Sequence, residues 1–319
     1  MVKMTRRIAL LAGVAGIGSA VAGSLYWALT RPPSAASVRA RIAGPLTAPQ
    51  GALNVFHLGH SLVNRDMPAM LAQLAPLGHS YDSQLGWGTT LQAHWGDATI
   101  NGFEAENAHP RFRPAAEAAA SGDYDAIVLT EMVEIRASIR YYESPRYLAL
   151  WAEKAIAARP DVRLFLYETW HPLDDPEGWL ERLDRDLDRY WLSRVLGPAL
   201  KDLPETAQIR LIPAGQVLAA FVRDVEARGG VGNVRDRTDL FQRSAEGELD
   251  PIHLNDLGNY LVALVHYATL YHADPVGLPA ALTRADGAPA VAPDPDVARL
   301  MQEVTRSVVY SLGLSGLSA

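Results

Sequence analysis

A serine, an aspartate and a histidine in this chain have the types and the order of a hydrolytic catalytic triad. Ser61 closely follows an apolar run that ends at Leu58, while Asp250 and His253 stand three residues apart far downstream. A serine hydroxyl is a weak nucleophile and needs a base to take its proton. A neutral imidazole is such a base when a carboxylate orients the ring and stabilises the imidazolium. We therefore predict that Ser61 is a nucleophile, His253 its base and Asp250 the orienting acid.

The surroundings of Ser61 argue against the commonest serine hydrolase fold. An α/β-hydrolase elbow reads G-x-S-x-G, and this chain has Val63 where the second glycine would stand. An aspartate only three residues before the histidine does not suit that fold either. We expect Asp250 and His253 to act from a single loop, in which Pro251 restrains the backbone because its φ is fixed.

Four segments of the chain resemble sequence blocks of the SGNH (GDSL-like) hydrolase superfamily. The first holds Ser61, preceded by His60 where that family often has aspartate, and the last holds Asp250 and His253. The closest resemblance is to bacterial members of the carbohydrate acetylesterase type. The four segments are 59–62, 86–91, 125–131 and 250–253.

The resemblance implies a flavodoxin-like, three-layer α/β fold with a roughly five-stranded parallel sheet. It also implies that the backbone N–H groups of Ser61 and Gly88 bind the oxyanion. The family's third block normally adds an asparagine donor, but this chain has Glu131 there. An ionised glutamate has no hydrogen to donate, and the loss of one oxyanion donor costs about 100- to 1000-fold in rate. The role of Glu131 is left open.

Four further residues stand near the predicted site in sequence and are candidates for substrate binding. His60 precedes the nucleophile, Trp87 and His94 belong to the second block and its extension, and Trp170 follows a predicted strand. Aromatic rings at the mouth of a site can stack on sugar rings. Each of the four could instead pack inside the protein.

The composition of the 319-residue chain is that of an ordinary globular protein, with 49% hydrophobic and 20% charged residues. This length is sufficient for one large α/β domain. The net charge of −7 argues against a nucleic-acid partner. The chain has no cysteine, which excludes disulfides and thiolate chemistry, and no residues have convincing metal-ligand spacing. We expect no cofactor.

The N-terminus carries basic residues ahead of an uncharged stretch, 8–30. That stretch is long for a signal-peptide core and about right for a membrane-spanning helix. Arg6 and Arg7 also hint at a twin-arginine export signal. We expect residues 1–30 to be an anchor in the cell membrane, with the rest facing the periplasm or exterior, or secreted if the segment is cleaved.

The remainder of the chain divides by composition. Residues 31–52 are typical of a linker, 53–273 of the hydrolase-like domain, and 274–319 of a Pro/Ala-rich tail with a C-terminal helix. Apolar strand-like runs alternate with helical spacing in the domain, which predicts a parallel sheet with helices on both faces. Ser61 and Gly88 each follow a predicted strand, so both should lie at the carboxyl edge of this sheet.

Three functions are compatible with these features. The one we favour is a serine esterase that removes an acyl group, acetyl by resemblance, from a carbohydrate or cell-envelope glycan. The second is an O-acyltransferase acting on an envelope polysaccharide, since the acceptor depends on site shape and water access. The third is a non-catalytic glycan-binding protein on a degenerate SGNH fold, motivated by the missing asparagine.

Overall fold

The computed structural model describes residues 32–96 and 98–317. The chain from Ser34 onward forms one unit by its internal contacts. The predicted membrane anchor, residues 1–30, lies outside the described residues. Within the described residues, no helix has both the length and the apolar character needed to cross a membrane.

Five parallel strands make the central sheet. They are β1 (Asn54–Leu58), β2 (Ser80–Gln84), β3 (Ala126–Thr130), β4 (Arg163–Glu168) and β5 (Ile209–Pro213). Their order across the sheet is β2-β1-β3-β4-β5, and every neighbouring pair is parallel. The predicted α/β fold with a five-stranded parallel sheet is confirmed. β1, which leads to Ser61, lies between the edge strand β2 and the central strand β3.

Helices and a small hairpin complete the fold. The helices are α1 (Ala35–Arg41), α2 (Asp66–Leu74), α3 (Leu91–Trp95), α4 (Phe103–Asn107), α5 (Ala115–Ser121), α6 (Ile135–Tyr141), α7 (Ser144–Ala158), α8 (Trp179–Asp186), α9 (Gly197–Asp202), α10 (Ala214–Ala227), α11 (Asp256–Tyr271) and α12 (Pro295–Leu312). A π-helical segment, Leu187–Leu196, joins α8 to α9. The hairpin consists of β6 (Phe241–Arg243) and β7 (Leu249–Leu254).

Alternate residues along the inner strands enter two hydrophobic cores, one on each face of the sheet. Val55 and Val128 enter the core that α2, α10, α11 and α12 cover. Phe56 and Leu129 enter the core that α5, α7 and the π-helical segment cover. Since both faces are buried there, the central strand β3 reads as a nearly continuous apolar run, whereas the edge strand β2 is mostly polar. The result is a three-layer sandwich.

The segment interpreted as a linker, 31–52, is partly packed into this sandwich. Helix α1 begins after Ser34, whose hydroxyl accepts a hydrogen bond from the Ser37 N–H. Val38 is buried with Ile42 in the second core, because residues four apart lie on one face of a helix. The expected C-terminal helix is present as α12, which packs against α10 and α11.

The β6–β7 hairpin corrects one expectation about the site. Asp250 and His253 lie on β7 rather than in a loop. The antiparallel pairing of β6 with β7 shifts register between its two ends, so β7 carries extra residues opposite β6. Side chains three apart on a regular strand point to opposite faces. The irregularity of β7 allows Asp250 and His253 to turn toward each other.

Candidate active site

Ser61, His253 and Asp250 form one chain of hydrogen bonds. The Ser61 Oγ lies 2.9 Å from His253 Nε2, and His253 Nδ1 lies 2.8 Å from Asp250 Oδ2. An ionised carboxylate only accepts hydrogen bonds, so Nδ1 carries the ring proton and Nε2 is left to accept from Ser61. The His253 and Asp250 side chains are both about one-third exposed, at 35% and 34%. This is the arrangement that a serine nucleophile with a histidine base requires.

Asp250 is fixed by its own strand. Its Oδ1 accepts hydrogen bonds from the backbone N–H groups of Ile252, at 2.9 Å, and His253, at 3.0 Å. Burial by itself would raise the pKa of Asp250, but these donors and the His253 ring outweigh it and hold the pKa below its usual value. The carboxylate is therefore ionised at neutral pH and oriented from both sides.

The segment that follows β4 holds the β7 backbone in place. Trp170 Nε1 donates to the Ile252 carbonyl at 2.8 Å, and the Leu173 N–H donates to the Pro251 carbonyl at 2.9 Å. Trp170 is only 2% exposed. Trp170, predicted as a substrate-binding residue, does not border the cleft of Ser61; its indole supports the strand that carries Asp250 and His253.

A buried arginine anchors this supporting segment to the neighbouring loop. Arg182 on α8 is fully buried and lies 2.6 Å from an oxygen of Asp175, 2.7 Å from Asp186 and 3.1 Å from Glu134. Asp186 also lies 3.2 Å from His171 Nε2. A buried charge is stable only when it is paired and hydrogen-bonded. Arg182 thus links the loop after β3 to the segment after β4.

The loop that carries Ser61 begins with a glycine that has no room for a side chain. A Cβ at Gly59 would lie 2.6 Å from the Thr130 side chain at the end of β3. The Gly59 carbonyl accepts a hydrogen bond from His94 Nε2 at 2.8 Å. His94 Nδ1 in turn accepts from the Gln84 side-chain amide at 2.9 Å. Both nitrogens of His94 are therefore engaged with protein.

His60 has a similar role on the other side of this loop. Its Nε2 donates to the Glu131 carbonyl at 2.8 Å, and its Nδ1 accepts from the Leu62 N–H at 3.3 Å. Burial lowers the pKa of His60, and likewise that of His94, to about 4. Both rings are neutral at pH 7, and they brace the Ser61 backbone.

Ser61 opens into a cleft of about 560 Å³, whose wall includes Gly88, Trp87, Asn64 and Gln242. Gly88 has φ +54°, and nothing lies within 4 Å of the position a Cβ would take. A left-handed conformation of this kind favours glycine and leaves the peptide open to the cleft. Gly88 is thus placed beside Ser61, as a donor to an oxyanion would have to be.

Glu131 does not line this cleft. It is completely buried, and its Oε1 accepts hydrogen bonds from the backbone N–H groups of Met132, at 2.8 Å, and Leu91, at 3.4 Å. Burial raises the pKa of Glu131 to about 7. Its carboxyl accepts from the first residue of α3 and does not reach the cleft.

Of the four predicted substrate-binding residues, Trp87 presents an accessible ring. Its side chain is 55% exposed, and its Nε1 donates to Glu106 at 2.8 Å. A Cβ on Gly102 would lie 2.2 Å from the indole, which therefore rests directly on that glycine. His60 borders the cleft but is 1% exposed, and His94 is 6% exposed.

Sequence reasoning missed two polar residues of the cleft. Asn64 has φ +45°; its Oδ1 accepts from the N–H groups of Asp66 and Met67 at the start of α2. Its Nδ2 donates to Asn259 at 2.8 Å. An asparagine before a helix is a recognisable capping signal, but that signal does not reveal that the residue also borders a cleft. Gln242 lies on β6, which was not predicted.

The described residues contain no cluster of three or more histidine, aspartate or glutamate side chains that could hold a metal ion. The cleft around Ser61 is lined by imidazole, amide, indole, carboxylate and aliphatic side chains. The hydrogen bonds from Ser61 through His253 to Asp250 offer nucleophilic and acid–base chemistry at this site.

No protein-family model and no curated protein matches the sequence. Among solved structures, a DUF4886 family protein from Bacteroides uniformis has 15% identity and a TM-score of 0.51, covering 82% of this chain and 96% of that chain. A likeness at this identity shows the shared fold alone.

Two other solved structures are more distant. A Corynascus carbohydrate esterase family 2 enzyme has 10% identity and a TM-score of 0.34, covering 70% of this chain and 67% of its own. A gut microbial diltiazem-metabolizing enzyme has the same identity and TM-score, covering 72% of this chain and 49% of its own. These two carry no argument about function, so the function is argued from the site.

Proposed function

We propose that the protein is a serine ester hydrolase that removes an acyl group from a carbohydrate or a cell-envelope glycan. The observation that carries the proposal is the continuous chain of hydrogen bonds from Ser61 through His253 to Asp250. Residues 192 apart in sequence meet here, and the cleft beside the serine is open. If these hydrogen bonds only stabilised the fold, the serine would not need to face an open cleft.

The reaction uses atoms that are already in position. Ser61 Oγ attacks the ester carbonyl carbon while its proton passes to His253 Nε2. The oxyanion accepts hydrogen bonds from the N–H groups of Ser61 and Gly88. His253 then gives its proton to the leaving alcohol as the ester C–O bond breaks. Water, deprotonated by His253, attacks the acyl-enzyme and releases the acid, while Asp250 stays ionised throughout.

The exposed ring of Trp87 borders the cleft of the reacting serine and offers an apolar surface to the substrate. The carbohydrate part of the proposal rests on the resemblance to acetylesterase-type sequences. The resemblance to acetylesterase-type sequences implies acetyl as the acyl group. It also accords with the proposal that residues 1–30 anchor the protein in the cell membrane, with the domain facing the periplasm or exterior, where glycan esters occur.

Hydrolysis of p-nitrophenyl acetate by the full-length protein, beside Ser61→Ala, tests the proposal. We expect activity in the wild type that vanishes in the variant, while both show the same circular dichroism and unfolding midpoint. A sugar acceptor is included, because an acyltransferase would form the same acyl-enzyme and differ only in its acceptor. Activity that is equal in both proteins would contradict the proposal.

A further inference from the structure

A second cavity adjoins the catalytic cleft and is larger than it. Its volume is about 780 Å³, within the range of small-molecule sites. It lies among β2, α3, α4 and α5, and its wall is made mainly of apolar side chains. These include Trp87, Ala98, Ile100, Phe103, Ala115 and Ala116. An acetyl group on Ser61 would leave this space empty.

The two buried polar side chains in this wall, Gln84 and His94, are hydrogen-bonded to each other and to the backbone. Gln84 donates to His94 Nδ1 and accepts from the Ala115 N–H at 2.8 Å. His94 Nε2 donates to the Gly59 carbonyl. A polar ligand group placed against this mainly apolar wall would replace few of the hydrogen bonds that it makes with water. The cavity therefore favours an apolar ligand.

Trp87 belongs to the walls of both the cavity and the catalytic cleft. Its indole is held against Gly102 and tied to Glu106, so it forms a fixed border between the two spaces. The next residue is Gly88, the proposed oxyanion donor. A substrate group that extends past Gly88 from the reacting carbonyl therefore meets the Trp87 ring and then the cavity.

The strand order indicates which part of an ester would extend that way. Gly88 follows β2, on one side of β1, whereas Trp170 follows β4, on the other side, and supports the strand that carries His253. The leaving oxygen must face His253, which protonates it. The oxyanion must face Gly88. The alcohol part of the ester therefore lies on the His253 side, and the acyl chain is the part left for the side of β1 on which the cavity lies.

We propose that this cavity binds the acyl chain of the substrate, and that this chain is apolar and longer than the acetyl group that the resemblance implies. The inference rests on the proposed ester hydrolysis and specifies its acyl group. The chemistry is unchanged: the acyl C–O bond breaks, water supplies the new oxygen and proton, and a free carboxylic acid leaves. The cavity contributes affinity through burial of methylene groups, each worth roughly a fourfold gain in binding when fully buried.

The test compares p-nitrophenyl hexanoate with p-nitrophenyl acetate on the full-length protein. We expect kcat/KM for hexanoate to exceed that for acetate by about tenfold or more. Ala116→Phe, on the first turn of α5, fills the cavity and should bring this ratio close to one. Ala120→Phe, one turn further on the same helix and outside the cavity wall, is the matched control and should keep the wild-type ratio.

A hexanoate-to-acetate ratio that is the same in Ala116→Phe and wild type would overturn the proposal. Calorimetric titration of octanoate separates this outcome from a failure of the esterase function. If no ester is hydrolysed, octanoate binding to the wild type and to Ala120→Phe, but not to Ala116→Phe, would still establish the cavity as an acyl site. Absence of octanoate binding in all three proteins would overturn it.

Discussion

Two pairs of residues flank Ser61, and each pair combines a histidine with an acidic residue. His253 is about one-third exposed and faces the ionised side chain of Asp250. His60 is buried and donates to the backbone carbonyl of Glu131 rather than to its carboxylate. The His253 ring lies between the serine hydroxyl and a carboxylate, whereas the His60 ring is held between two backbone groups. Residue type and proximity to a serine therefore do not define a base; the partner and the solvent exposure do.

The two pairs also differ in the pKa of their carboxyl groups. Asp250 has two backbone donors and a histidine, and its pKa lies below the usual value even though burial opposes this. Glu131 is completely buried, and burial raises its pKa to about 7. We expect substitutions in the first pair to affect catalysis, and those in the second pair to affect mainly the conformation of the nucleophile loop and stability.

The largest effect should come from the base. His253→Gln removes the acceptor of the Ser61 proton, so kcat for ester hydrolysis should fall on the order of 10⁶-fold. The measurement is steady-state hydrolysis at pH 7, with thermal unfolding to verify the fold. If the variant kept activity within tenfold of the wild type, the distinction between the two histidines would fail.

The orienting acid should come next. Asp250→Asn retains an oxygen that can accept from the Ile252 and His253 N–H groups, but it cannot hold the His253 proton on Nδ1. We expect kcat to fall on the order of 10⁴-fold with KM little changed. An unchanged kcat, measured under the same conditions, would mean that Asp250 does not orient the base.

The bracing histidine should matter less. His60→Leu leaves the Glu131 carbonyl and the Leu62 N–H without their partner, so kcat should fall about tenfold to 100-fold through a misplaced Ser61. Because His60 is neutral above about pH 4, the shape of the pH–rate profile should not change. His60→Gln, whose amide can both donate and accept, should recover part of the rate. A profile that loses its pH dependence in His60→Leu would assign the base role to His60.

The smallest effect on catalysis is expected at Glu131, where stability should change instead. The ordinary pKa of 4.5 rises to about 7 in the fold. Between these values the folded protein holds a proton that the unfolded chain has lost, so the free energy of unfolding falls as pH rises through this window. Glu131→Gln has no such proton to lose. Its free energy of unfolding relative to the wild type should therefore rise by about 3 kcal/mol between pH 4 and pH 8.

Urea unfolding of wild type and Glu131→Gln at pH 4, 6 and 8 measures this difference. Glu168, whose pKa burial raises to about 8, is present in both proteins and cancels from the comparison. Parallel pH dependence of the two proteins would contradict the buried, proton-holding role of Glu131.

The sequence predicted the sheet because strands buried on both faces leave a simple signal. Val55 and Phe56 enter opposite cores, so neighbouring residues of the strand are apolar and the strand stands out from the helices around it. The short helices α3, α4 and α6 have five to seven residues, too few for a helical period to emerge. They were not predicted.

The catalytic residues of the site could be predicted because their chemistry allows few residue types. Ser61, Asp250 and His253 could be identified because few combinations activate a serine. The substrate residues were harder, because nothing in the sequence tells whether His94 or Trp170 points inward. The irregular pairing of β7 depends on β6 and on contacts from the segment after β4, which only the folded chain brings together.

The central claim is that Ser61 is an activated nucleophile. A fluorophosphonate reacts covalently with such a serine, and intact-mass spectrometry with peptide mapping locates the adduct. We expect one adduct per wild-type chain, on Ser61, and none in Ser61→Ala or His253→Gln over the same time, while His60→Gln still reacts. An unlabelled wild-type protein, or labelling that persists in Ser61→Ala, would contradict the account.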